Sequence, residues 1–71
     1  MTRVLVADNH RLFRTGLVAL LRQSLGRAAI IVEAGSFKAA IAEFADAARF
    51  DAILLDLDML GPGAGRELDD L

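Results

Sequence analysis

The chain has 71 residues, of which 55% are hydrophobic and 25% charged, with a formal net charge of −2 and no cysteine. That balance suits one small globular domain and excludes a disordered chain, a disulfide framework and a thiolate metal site. Acidic and basic residues are mixed along the sequence, which indicates no direct nucleic-acid surface, and no apolar run approaches the roughly 18–20 residues of a membrane span.

The opening residues carry too short an apolar stretch for a signal peptide, so the expected setting is cytoplasmic. Val4-Leu5-Val6-Ala7 is an unbroken, β-branched apolar run and predicts a first strand over 3–7, central and covered on both faces. It stops at Asp8-Asn9, either of which can cap a following helix. That helix is predicted over 10–25. Phe13, Leu17, Leu20 and Leu21 share one face at helical spacing, Arg11, Arg14 and Arg22 fall on the other, and Gly26 ends it. A second strand is predicted over 29–33. Ser36 is the expected N-cap of a second helix over 36–48, where Phe37, Ala40, Ile41, Phe44, Ala45 and Ala48 give the cleanest periodicity in the chain. Ala52-Ile53-Leu54-Leu55, flanked by Asp51 and Asp56, reads as a third strand over 52–56, buried on both faces. A Gly- and Pro-containing loop follows, and a partial helix is expected over 65–71. Strands alternating with helices imply an α/β fold with a parallel sheet and right-handed crossovers.

In such sheets chemistry collects beyond the carboxyl ends of the strands. Two predicted strands end there on an aspartate, Asp8 and Asp56. Each has a plain structural explanation, as a cap or an Asx-turn. Together they suggest a shared site, because neighbouring carboxylates repel and a divalent cation relieves the repulsion. Mg²⁺ takes one or two carboxylates together with carbonyls, waters and phosphate oxygens.

The stretch Val4-Leu5-Val6-Ala7-Asp8-Asn9-His10-Arg11-Leu12-Phe13-Arg14 resembles the opening of response-regulator receiver domains, particularly those of LuxR-type regulators. Asp51 to Gly61 is similar to that family's phosphoacceptor strand and loop, and Glu33-Ala34-Gly35-Ser36 fits its usual turn after the second strand. The resemblance covers essentially the whole chain. It implies the N-terminal half of a flavodoxin-like fold with strand order 2-1-3, acting in two-component signalling rather than as an enzyme. Asp56 would then be the phosphoacceptor, taking a phosphoryl group from a histidine kinase, a phosphotransfer protein or a small phosphodonor. Asp8, Asp56 and the backbone carbonyl of Asp58 would hold Mg²⁺. Asn9 stands where a second acidic residue is usual. It offers an uncharged oxygen, so Mg²⁺ should bind more weakly. Leu60 stands in place of the usual loop proline, and Ala64 in place of a glycine.

Family members continue for two further strands and helices. The expectation for this chain is therefore a third strand left at the sheet edge and homodimerisation through it. The alternative function is a degenerate receiver that works by self-association or by pairing with another protein. Asp56-Leu57-Asp58 also resembles the first motif of haloacid-dehalogenase-type phosphotransferases, but Met59 and Leu60 do not fit that motif. Gly61 to Gly65 lacks the Gly-Lys-Ser/Thr of a phosphate loop. His10, the sole histidine, reads as a first-turn surface residue. The arginine stripe reads as a solvated face, or, through the resemblance, as a partner-docking surface.

Overall fold

The computed structural model describes residues 1–60. Its elements are β1 (Arg3–Ala7), α1 (Arg11–Leu25), β2 (Ile30–Ala34), α2 (Phe37–Phe44), a 3₁₀ turn over Ala47–Arg49, β3 (Ala52–Leu55) and a second 3₁₀ turn over Leu57–Leu60. The three strands form one sheet, parallel as the alternation of strands and helices predicts, in the order β2-β1-β3 that the resemblance implies. The predicted loop and helix beyond residue 60 lie outside the described residues.

The most apolar strand is central. Val4, Leu5, Val6 and Ala7 are all buried, and Leu5 is wholly inaccessible. Register is fixed at both ends of the ladder. The Arg3 N–H donates to Asp51 Oδ2 (2.8 Å) while the Asp51 N–H donates to the Arg3 carbonyl (2.8 Å). At the other end the Asp56 N–H donates to the Ala7 carbonyl (2.9 Å), and the Asp8 N–H to that of Ala34 (3.0 Å). These last two bonds bring both aspartates to the carboxyl edge of the sheet.

One face of the sheet carries the core. Leu5, Ala7, Ala34 and Ala40 pack together there, joined by the partly buried Val32, Phe44, Phe50, Leu55 and Met59. The small Ala40 lets α2 approach β2 closely. Ser36 caps that helix as expected, its Oγ accepting from the Ala39 N–H (3.1 Å).

Several expectations need correction. The second helix stops at Phe44 rather than at 48. The Asp46 N–H turns to the Glu43 carbonyl, Asp46 itself leaves the helical region (φ −113°, ψ 31°), and the 3₁₀ turn carries Phe50 back to the core. Aspartate is a poor helix-interior residue, and the chain leaves the helix there without a side-chain bond from Asp46 to the backbone. Neither Asp8 nor Asn9 caps α1. His10 occupies the cap position without a side-chain cap bond, because the Asp8 carboxylate is already engaged with the His10 N–H.

The inward side of α1 is also rotated from the predicted stripe. Arg14, Leu17, Val18, Leu21 and Arg22 are partly buried, whereas Phe13 and Leu20 are 62% and 63% exposed. The helix packs on β1 and β2, and among the described residues its flank towards β3 is left largely uncovered. Arg22 reaches back to the Ala29 carbonyl, and Gly26, at φ 85°, closes the helix end. Nor is β3 buried on both faces. Ala52, Ile53 and Leu54 are exposed, since β3 is an edge strand among the described residues.

Candidate functional site

Asp8 and Asp56 are 48 positions apart in sequence and leave adjacent parallel strands at the same edge. The same local device orients both. Asp8 Oδ1 accepts from the backbone N–H of His10 (2.7 Å), and Asp56 Oδ1 accepts from that of Asp58 (3.0 Å). These are Asx-turns, in which a short carboxylate satisfies a backbone donor two residues on. The Asx-turn reading therefore holds for Asp56, while Asp8 makes an Asx-turn in place of the helix cap expected of it. The turns fix one oxygen of each carboxylate and so set the direction of the other.

Between them stands His10. Its Nδ1 is 3.3 Å from Asp8 Oδ1 and 3.8 Å from Asp56 Oδ2. The ligand atoms of Asp8, His10 and Asp56 all lie within 4.8 Å of one another, a candidate metal-binding group among the described residues. Asp8 is buried, Asp56 is part-buried with 24% of its side chain exposed, and the imidazole is largely exposed. A buried carboxylate is costly unless it is paired or ligating. The Asp8 side chain has the His10 N–H and imidazole for this purpose, while an incoming group can reach Asp56 from solvent.

The donor set is mixed. Two carboxylates suit a hard divalent cation, whereas an imidazole nitrogen suits softer first-row metals and has no ordinary place in an Mg²⁺ shell. With its imidazole the group as a whole is a candidate metal-binding set and not an Mg²⁺ site; the two carboxylates are the part of it whose chemistry a hard divalent cation shares. Among the other expected ligands, Asn9 is exposed, and Asp58 is tied to the site through its N–H, with its side chain in solvent.

The expected arginine stripe is not a solvated face. Arg14 is mostly buried, donating from Nη1 to the Asp8 carbonyl (2.7 Å) and from Nε to Glu33 Oε1 (3.0 Å). Of the three, only Arg11 is exposed. Sequence reasoning left His10 outside the site. The Asp-Asn-His spacing at a strand end was the available signal, because an Asx-turn returns residue i+2 to the carboxylate. Beside the site, an open apolar groove runs between α1 and β3, lined by Val6, Leu12, Phe13, Leu17 and Leu54, with Asp56 at its end.

No family model matches the chain, and no curated protein or solved structure matches it either. No helix among the described residues is long and apolar enough to cross a membrane.

Proposed function

We propose that the chain is a phosphoacceptor module of the receiver type, with Asp56 as the acceptor. The observation that carries this reading is the meeting of Asp8 and Asp56 at the carboxyl edge of a parallel sheet, with Asp56 the more accessible of the two. In the reaction, a carboxylate oxygen of Asp56 attacks the phosphorus of the donor. A P–O bond forms to give an aspartyl phosphate, and the donor's P–N or P–O bond breaks with its electron pair leaving on the donor. The Asp58 N–H holds the Asp56 carboxylate in one rotamer for this attack. Asp8 presents charge from a buried position, and the resemblance gives the Asp58 carbonyl and, more weakly, Asn9 supporting roles. A bound Mg²⁺ would offset the phosphoryl charge during transfer. The donor is a histidine kinase, a phosphotransfer protein or a small acyl phosphate.

Intact-mass spectrometry after incubation with acetyl phosphate and Mg²⁺ tests this reading. One phosphoryl adduct is expected on the parent and none on Asp56→Asn. An unmodified parent that is demonstrably folded would refute it.

A second reading is favoured by the outer edge of β3, which no strand pairs among the described residues, and by the exposure of Leu12, Phe13, Leu20, Ile53 and Leu54. In that reading the chain works by association, either with its own copy along β3 or with another protein. Apolar surface beside an open strand edge promotes pairing between chains.

A further inference from the structure

We propose that Arg14 is a positioning residue of this site. Seated by Glu33 and Gly35, it holds the backbone of Asp8 and thereby sets the Asp8 carboxylate against Asp56 for a divalent cation. The proposal rests on the phosphoacceptor reading, and concerns what makes the carboxylate pair fit to bind.

Arginine is seldom buried without partners, and Arg14 is 17% exposed. Its guanidinium divides its donors between two acceptors from different elements. Nη1 holds the Asp8 carbonyl at the end of β1, and Nε holds Glu33 Oε1 in β2. The planar fork suits this two-direction grip, which a lysine ammonium cannot reproduce. Space for the fork comes from Gly35. A Cβ there would lie 2.9 Å from Nη1 and 3.4 Å from Cζ. Gly35 has no positive φ, so its lack of a side chain matters for room rather than for backbone conformation.

Asp8 is thus held at three points. Its N–H bonds to the Ala34 carbonyl, its carbonyl accepts from Arg14, and its Oδ1 accepts from the His10 N–H. The Arg14 backbone closes the same corner, donating its N–H to the His10 carbonyl (2.9 Å). The consecutive residues Glu33, Ala34 and Gly35 therefore act as one device. Glu33 orients the arginine, Ala34 anchors the Asp8 N–H, and Gly35 leaves the space. Because Glu33 pairs with the guanidinium, the effect of Arg14 on Asp8 is one of geometry more than of charge. Without the arginine, the Asp8 carbonyl and its Asx-turn can rotate, and the two carboxylates no longer converge on one cation.

The test is Mg²⁺ titration by calorimetry of the parent and of Arg14→Met, Arg14→Lys, Glu33→Gln and Gly35→Ala. Each is first confirmed as folded by far-UV circular dichroism and its amide spectrum. Groups that orient metal ligands typically contribute about 10–100-fold in affinity. Arg14→Met and Arg14→Lys should weaken Mg²⁺ by that factor, the lysine despite its retained charge. Gly35→Ala should weaken it by about threefold or more, because the guanidinium must shift. Glu33→Gln, whose amide oxygen still accepts from Nε, should change it by less than Gly35→Ala. In Arg14→Ala, added to the series and checked for folding in the same way, ethylguanidinium should restore affinity.

A purely structural arginine would lower the urea midpoint and leave the Mg²⁺ affinity of the folded variants unchanged, which would overturn the proposal. If the Arg14 variants do not fold, unchanged affinity in Gly35→Ala overturns it and weakened affinity supports it. A parent that binds no Mg²⁺ removes the cation from the phosphoacceptor reading and this proposal with it. A parent that binds while every variant binds equally well removes this proposal alone.

Discussion

Asp8→Asn separates electrostatics from architecture at the strand ends. The amide oxygen can still accept from the His10 N–H, as Asp8 Oδ1 does at 2.7 Å, so the Asx-turn survives. What changes is charge. Two unit charges 4.8 Å apart, the outer limit of the ligand-atom separations here, repel by about 3.5 kcal/mol at an effective dielectric of 20 and by about 0.9 kcal/mol in bulk water. Asp56 is partly solvated and Asp8 is not, so the operative value lies between these limits, about 1–3 kcal/mol. The imidazole between them reduces what the substitution recovers, while taking a charge out of the buried Asp8 position adds to it. Without divalent cations, Asp8→Asn should therefore be more stable than the parent by about 1 kcal/mol, a rise of roughly 4–8 °C in Tm for a domain of this size. With saturating Mg²⁺ the parent should gain stability through linkage and the variant should gain little. Urea unfolding followed by far-UV circular dichroism, in chelator and in Mg²⁺, measures both effects. An Asn variant less stable than the parent in chelator, yet equally stabilised by Mg²⁺, would refute the argument that the two carboxylates share a cation.

Other substitutions test the fold beneath the site. Leu5→Ala removes a fully inaccessible side chain at the centre of the sheet and should cost about 3–5 kcal/mol, most of the stability of so small a domain; a urea series reads this directly. Ser36→Ala removes the cap on the Ala39 N–H and should cost about 1 kcal/mol in the same assay. Leu54→Lys places a charge on β3, the edge strand among the described residues, and should reduce any self-association seen by sedimentation while leaving the far-UV spectrum unchanged.

What the sequence disclosed follows from how locally each feature is encoded. β1 was readable as a strand because its apolar run is β-branched and bounded by polar residues, whereas the order β2-β1-β3 was legible only through the resemblance to receiver domains. Gly26 and Ser36 were readable because helix ends are determined within a few residues. The facing of α1 was not. Periodicity identified a stripe through Phe13 and Leu20, but which stripe turns inward depends on what lies beneath the helix. Here that is β1 and β2, with Arg14 and Arg22 reaching backbone carbonyls at the ends of the sheet. The expectation that β3 is buried on both faces failed for the same reason, because burial depends on neighbours that a strand's own residues do not specify. At the site, the two aspartates were visible as strand ends, and the structure brings them together. His10 and Arg14 were not visible as members, since both act through a turn and a carbonyl that exist only once the corner between β1 and α1 has formed.

The most direct test of the central claim is to locate the phosphoryl group chemically. After exposure to acetyl phosphate and Mg²⁺, borohydride reduction converts an aspartyl phosphate to homoserine, and peptide mass spectrometry identifies the converted residue. The account predicts homoserine at position 56 in the parent and none in Asp8→Asn at the same Mg²⁺ concentration. Conversion at another aspartate, or none in folded parent protein, would contradict it.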